Sequence, residues 1–237
     1  MRLYFRPLPW FSLLTVLLFA GLIALGNWQI HRLHWKLGLI AAVNRDLAGP
    51  PLPLAAVLKL GKDAEYHKVA LSGRFDHRHE AYVYGIAEGA PVYHVLTPFL
   101  LADGRALIVD RGIVPEELRD PAKRRAGQVE GERQIAGVWR KPDPPGSFTP
   151  MVDRARRIWF SRDVEQMARE NRLRLVAPVL IEADAAPNPG GWPKGGQTVV
   201  TFRNEHLQYA ITWYALAGVL IGCYIALHIS MGRLGRR

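Results

Sequence analysis

The chain has 237 residues, is 49% hydrophobic and carries a formal net charge of +10. Its one cysteine, Cys223, excludes an internal disulfide and the thiol pair that a copper chaperone or a thioredoxin-like protein needs. The basic residues are scattered and no nucleic-acid-binding motif is visible, so the positive balance is expected to meet membrane lipid or acidic partners, with no nucleic acid.

The first element is an uncharged apolar run over residues 10–28. As a helix rising 1.5 Å per residue, such a run crosses the roughly 30 Å hydrocarbon core of a bilayer. A cleaved signal peptide is the alternative, but Gly26-Asn27-Trp28-Gln29 offers no small-residue cleavage site. A second uncharged run, 210–227, is the core of a second span over 208–230. The aromatic residues Tyr4, Trp10, Trp28, Tyr209 and Trp213 suit an interfacial belt. The resulting plan is a tail over 1–9, a span over 10–28, a translocated domain over 29–207, a span over 208–230 and a basic tail over 231–237. Arg2, Arg6, Arg233, Arg236 and Arg237 favour cytoplasmic tails, although Arg32, Lys36, Arg45 and Arg203 flank the domain side.

Between the spans, residues 31–47 continue as helix until Pro50-Pro51-Leu52-Pro53 breaks it. Strands are predicted over 66–75, 80–85, 92–99, 105–111, 133–139, 157–160, 178–183 and 197–202, with Asp103-Gly104 as a hairpin turn. A helix is predicted over 161–174, with Asp163 as N-cap and Gln166 reaching back to it. Residues 116–132 are charged and interrupted by glycine, which suits an exposed helix or loop. Residues 142–150 and 187–196 are long loops. The fold class is α+β: two transmembrane helices flank an extramembrane domain built on a mainly antiparallel β-sheet with a few helices.

The chain has no G-x-S-x-G elbow, H-E-x-x-H, P-loop or C-x-x-C, so no catalytic residue is assigned and no enzyme activity is expected. Asp76, His77 and His79 read either as solvated turn residues or as a weak metal site. Topology is more informative. Two antiparallel spans bring His31 and His34 into one membrane-proximal layer with His206. On the second helix His206, Tyr209, Ala210 and Trp213 share a face. A neutral imidazole above aromatic and small residues suits a flat apolar macrocycle such as haem. The same residues also read as an interfacial belt without a ligand. Gly218 with Gly222, and Ala20 with Ala24, are spaced for close helix packing in lipid. His228 is expected at the cytoplasmic interface.

Gly26-x-Trp28-Gln29-x-x-Arg32 with Lys36, and Asn204-x-His206-Leu207-Gln208-Tyr209-Ala210-x-Thr212-Trp213-Tyr214, resemble the two hallmark motifs of the surfeit locus protein 1 family. Tyr66-x-x-Val69-x-x-x-Gly73-x-Phe75, Thr97-Pro98, Val109-Asp110-Arg111-Gly112-x-Val114-Pro115, Gly137, Phe148-Thr149-Pro150 and Trp159-Phe160-x-Arg162-Asp163 extend the resemblance over nearly the whole chain. Asp110, Ile113 and Glu205 stand where the family pattern has Asn, Trp and Asn. The resemblance implies a cytochrome c oxidase assembly factor that binds haem a and aids its insertion into the largest oxidase subunit. A scaffold that steadies the subunit without touching haem is the alternative. Carried over by motif, His206 is the axial ligand to haem iron. Trp28, Gln29 and Arg32 shape the site from the first helix, and Gln208, Tyr209 and Trp213 from the second. The implied partners are the largest oxidase subunit, haem a synthase and membrane lipid. The missing Arg/Ser-rich presequence favours a bacterial inner membrane with the central domain periplasmic.

Overall fold

The computed structural model describes residues 3–200 and 202–236. Arg2, Arg237 and Thr201, on which parts of the tail and last-strand expectations fall, lie outside them. In chain order the elements are β1 (Leu3–Phe5), α1 (Pro9–Ala48), β2 (Leu52–Pro53), α2 (Leu54–Leu60), β3 (Lys68–Phe75), β4 (Ala81–Ala87), β5 (Ala90–Leu100), β6 (Ala106–Pro115), β7 (Arg133–Arg140), β8 (Ile158–Trp159), α3 (Val164–Glu170), β9 (Leu175–Ala183), α4 (His206–Ser230) and β10 (Leu234–Arg236). They form two compact units. One joins residues up to Ala42 to those after Val200, and the other is Val43–Val200. Two helices thus accompany a sheet-rich domain with short helices, as the α+β reading expects.

In the first unit, α1 and α4 pair antiparallel. The residues α1 turns inward include Ser12, Thr15, Phe19, Leu22, Gly26 and Gln29, in steps of three and four. On α4 the inward stripe is His206, Ala210, Trp213, Ala217, Tyr224 and His228. Such alternation is the signature of two helices packing ridges into grooves at a shallow angle. Polar clamps fix the register. Ser12 and Tyr224 hydroxyls lie 2.6 Å apart, and the Tyr214 hydroxyl donates to Asn27 Oδ1 at 2.8 Å. Close approach depends on Gly26, where a Cβ would stand 2.5 Å from the Tyr214 ring. Most other apolar side chains point outward: only 11% of each helix's most apolar stretch is buried, and Leu13, Leu14, Val16, Leu17 and Val219 are exposed. Both helices are long and apolar enough to cross a membrane. The Gly218/Gly222 and Ala20/Ala24 steps also face outward, so the pair is not held by them; Gly26, Ala210 and Ala217 serve instead. His228, expected at the cytoplasmic interface, lies in the last turn of α4 and faces inward. It is fully buried, with Nδ1 donating to the Tyr224 carbonyl at 2.9 Å and Phe5 and Tyr224 rings around it. The short antiparallel pair β1–β10 joins the two ends of this unit.

In the second unit, an eight-stranded sheet runs in the order β2-β3-β7-β9-β6-β5-β4-β8, mostly antiparallel. The sheet closes on itself, because Arg74 and Phe75 at the end of β3 also pair with Leu100 and Phe99 of β5. Strands β3, β7, β9, β6 and β5 therefore form a small barrel. Gly73 makes closure possible, since a Cβ there would sit 2.2 Å from the Leu100 carbonyl oxygen. Val69, Leu71, Phe99, Leu107, Val109, Trp139 and Ile181 fill the interior, and Val57 of α2 plugs one end. A second cluster packs α3, through Val164 and Met167, onto Leu96, Ile108, Trp159 and Leu180.

Three local expectations change. Residues 197–200 and 202 are not strand. The predicted helix 161–174 contracts to α3; Asp163 caps it by accepting from Gln166 N at 2.9 Å, but the Gln166 side chain turns to Glu170 instead of reaching back. The charged stretch 116–132 forms two 3-10 turns, and its Arg124 is core, not surface.

Candidate functional site

Helix α4 starts at His206, following Glu205, whose carboxylate takes both Nε and Nη2 of Arg203 at 2.6 and 2.9 Å. That ion pair holds the Glu205 carboxyl below its usual pKa through the Arg203 hydrogen bonds. The negative charge at this departure from the family pattern is thus answered within its own turn. His206 begins the inward stripe of α4 and meets Gln29, the last buried residue of α1. Nδ1 of His206 and Oε1 of Gln29 are 2.7 Å apart. With Nδ1–H donating to the amide oxygen, the imidazole lone pair is left on Nε2.

The other residues assigned to this site are arranged around that pair less tightly. Trp213 is half-buried on the inward stripe, while Trp28 and Tyr209 are exposed at 54% and 50%. Arg32 is exposed, with its guanidinium 4.5 Å from the Trp35 ring. Gln208 is the exception. Two residues beyond His206, it falls on the opposite side of the helix and lines a shallow groove of about 420 Å³ with Asn204, Leu207, Ile211 and Thr212. His31 and His34 are exposed on α1. The structure therefore unites His206 with Gln29 and leaves an open aromatic surface nearby, with Gln208 apart.

An iron porphyrin makes modest demands on such a site, because the macrocycle supplies four of the iron's ligands and the protein needs to give only one or two. A lone imidazole with a fixed tautomer and a free Nε2 fits this demand. Among the described residues no group of three His, Cys, Asp or Glu side chains could hold a bare metal ion. That includes the Asp76–His79 turn, where His79 Nδ1 pairs with Asp76 at 2.7 Å and His77 turns inward.

The domain holds a second constellation that the sequence did not reveal. Glu80 is 1% exposed and receives Arg124 Nη2 at 2.6 Å, Gln128 Nε2 at 3.0 Å and Arg111 Nη1 at 3.4 Å. His77 Nδ1 lies 3.2 Å from the same carboxylate, and its Nε2 donates to the Val129 carbonyl at 2.9 Å. Burial raises the Glu80 pKa, but hydrogen bonds from His77 and Arg124 outweigh it and bring it to about 2. Asp110, another departure from the family pattern, is also buried and joined to His94 Nδ1 at 2.8 Å and Arg162 at 3.5 Å. Only the turn composition around 76–80 marked this region, and that pattern is equally common on surfaces.

Comparison with known proteins extends the reading to the whole chain. The profile of the SURF1 family matches residues 16–218. Surfeit locus protein 1 of Mus musculus is 38% identical over 225 residues, covering 88% of this chain and 72% of the relative. The Homo sapiens protein of the same name is 37% identical over 227 residues, with 89% and 74% covered. A SURF1-like protein of Monosiga brevicollis is 38% identical over 221 residues, with 88% and 84% covered. These relatives are eukaryotic, so the bacterial placement is not borne out. Because the match begins inside α1, spans the barrel and ends inside α4, helices and domain are shared together, and the chain belongs to the SURF1 family.

Proposed function

We propose that this protein is a membrane-bound assembly factor for haem-copper cytochrome c oxidase, which binds haem a through His206 and assists its insertion into the largest oxidase subunit. Family membership supports the assembly role. The observation that carries the haem role is the hydrogen bond from His206 Nδ1 to Gln29, which leaves Nε2 free as an iron ligand. Haem a, when bound, supplies the iron centre that the oxidase uses for electron transfer and oxygen chemistry. The chain's own residues hold and orient. His206 would give the iron a nitrogen ligand, and Gln29 would fix that imidazole's ring plane and tautomer. Trp28, Tyr209 and Trp213 offer apolar aromatic surface, and Arg32 offers a cation for a peripheral carboxylate. The two helices anchor the protein in the membrane that houses the oxidase, with both tails on one side and the domain on the other.

The test is an absorbance spectrum of protein purified from cells that synthesise haem a. Wild type should carry the pigment and His206→Ala should lose it. If the substituted protein keeps an unchanged haem spectrum, His206 is not the ligand. Recovery of the oxidase subunit with either protein from cells unable to make haem a would favour a scaffold that does not depend on haem.

A further inference from the structure

We infer that the domain binds a small carboxylic acid with an apolar body in the cleft between β3, β7 and the loop that follows β9. This cleft belongs wholly to the Val43–Val200 unit and is independent of the His206 reading. It measures about 590 Å³, within the range that holds small-molecule ligands. Ala70 and Ala136, paired across β3 and β7, give it a floor of small side chains on the outer face of the barrel, Ala183 adds to the lining from β9, and Phe75, Pro187 and Pro189 give it apolar walls. On β3 the residues flanking Ala70, Val69 and Leu71, point into the barrel, so strand alternation sets Ala70 outward as cleft floor.

The wall is built in advance. Asp184 N donates to the Ala136 carbonyl at 3.1 Å, and Gly196 N donates to the Ala183 carbonyl at 3.0 Å. Asn188 Nδ2 donates to the Pro193 carbonyl at 2.6 Å. Asp184, the one carboxylate lining the cleft among the described residues, accepts the Ala186 amide on Oδ1 at 3.0 Å and so caps its own loop. Arg133 is exposed at the cleft and available to meet an anion.

The charge preference comes from behind. Arg111 lines the cleft and is 1% exposed. Its Nη2 donates to the Gly127 carbonyl at 2.5 Å and to Asn188 Oδ1 at 3.4 Å, and its guanidinium lies 4.6 Å from the Phe75 ring. The buried group it belongs to is not neutral. Arg111 and Arg124 share the single carboxylate of Glu80, and Nη1 of Arg124 is buried without a hydrogen-bond partner among the described residues. At least one positive charge, counting the two guanidiniums against one carboxylate that also receives His77, therefore lies in the interior without a counter-charge, which is costly unless an anion approaches. Burial, reinforced by repulsion from Arg124, lowers the Arg111 pKa to about 10, consistent with that deficit. The cleft is the opening from which an anion reaches this field, and its apolar lining asks for a body that is not itself polar.

The test uses the whole 237-residue chain in lipid nanodiscs and fluorine NMR. The probe is para-(trifluoromethyl)benzoate, compared with the neutral para-(trifluoromethyl)benzyl alcohol. The acid should bind saturably, and the alcohol at least about tenfold more weakly. Ala70→Phe and Ala136→Phe, which fill the floor and leave Arg111 in place, should each weaken the acid by about tenfold or more with the melting temperature unchanged. Equal affinity for acid and alcohol, no saturable binding of the acid, or full affinity in a folded Ala70→Phe or Ala136→Phe protein would each overturn the inference. Haem retention by the same samples should not change, so the two sites fail separately.

Discussion

His206 and Gln29 are 177 positions apart in sequence and 2.7 Å apart in space, one imidazole nitrogen against one amide oxygen. A partner of this kind sets which ring nitrogen keeps its proton, and loss of such a partner typically weakens a metal site by about ten- to a hundredfold. Gln29→Leu keeps the size of the side chain but removes the acceptor. It is expected to lower haem affinity by about that factor while His206→Ala abolishes binding. Titration of both purified variants, followed by absorbance, checks the order. Equal loss in both would mean that Gln29 does more than orient the ring.

The close contact between α1 and α4 at Gly26 gives a second expectation. A side chain at this position enters the Tyr214 ring, so Gly26→Val should destabilise the helix pair by about 1–3 kcal/mol, the usual cost of overpacking. Tyr214→Ala should restore part of the loss, because it removes the ring that the new methyl groups strike. Thermal melts in detergent of the single and double substitutions measure both effects. Additive losses would place the clash elsewhere.

How much of this could be read from the residues varies with the range of the interaction. The two helices were legible because an uncharged apolar run needs no partner to declare itself, and the Pro50–Pro53 break ended α1 where expected. Seven of the strands were legible from β-branched runs and the Asp103-Gly104 turn, where Gly104 takes a positive φ of 76°. Residues 197–200 and 202 fooled the same rule: Val199 is 76% exposed and pairs with no strand among the described residues. Barrel closure was not legible, because Arg74 and Phe75 look like any strand end until Leu100 and Phe99 arrive beside them. The charged segments failed for a related reason. Composition assigns Arg124 and Glu80 to solvent, and their ion pair, within the hydrogen bonds that also tie Glu80 to Arg111 and Gln128, is what lets both be buried. At the candidate site, motif resemblance selected His206 and Gln29 together, whereas helix geometry alone would have separated Gln208 from them.

The buried Glu80 makes the domain sensitive to acid. Its carboxyl titrates at about 2 in the fold, against an ordinary value of 4.5, so the folded state holds the ionised form more firmly than the unfolded chain does. Its contribution is complete above pH 4.5 and is lost as the pH falls towards 2; a shift of this size is worth roughly 3 kcal/mol. Glu80→Gln removes the charge at any pH and strands Arg111 and Arg124 without a counter-ion. It should cost about 3–5 kcal/mol at neutral pH and flatten the acid limb of the stability profile. Urea unfolding of the 237-residue chain across this range, with and without the substitution, reads both. Parallel profiles would show that another carboxylate governs the acid limb.

Closure of the barrel rests on the absence of one methyl group. At Gly73 the end of β3 lies over the Leu100 carbonyl, and a Cβ would approach that oxygen to 2.2 Å and the Phe99 ring to 3.0 Å. The oxygen belongs to backbone that pairs with Arg74 and cannot withdraw without opening the β3–β5 seam. The interior cluster that includes Phe99, Val69 and Leu71 lies directly beneath that seam. Gly73→Ala should therefore be destabilising on balance, its clash outweighing the gain of up to about 1 kcal/mol that Ala has over Gly within a strand, because the seam or the core must give way. Hydrogen exchange on the 237-residue chain should show lost protection at the amides of the β3–β5 seam before the β4–β5 ladder is affected. Uniform loss across the domain would mean that the seam is not a separable unit, and unchanged protection would mean that the barrel does not depend on this contact.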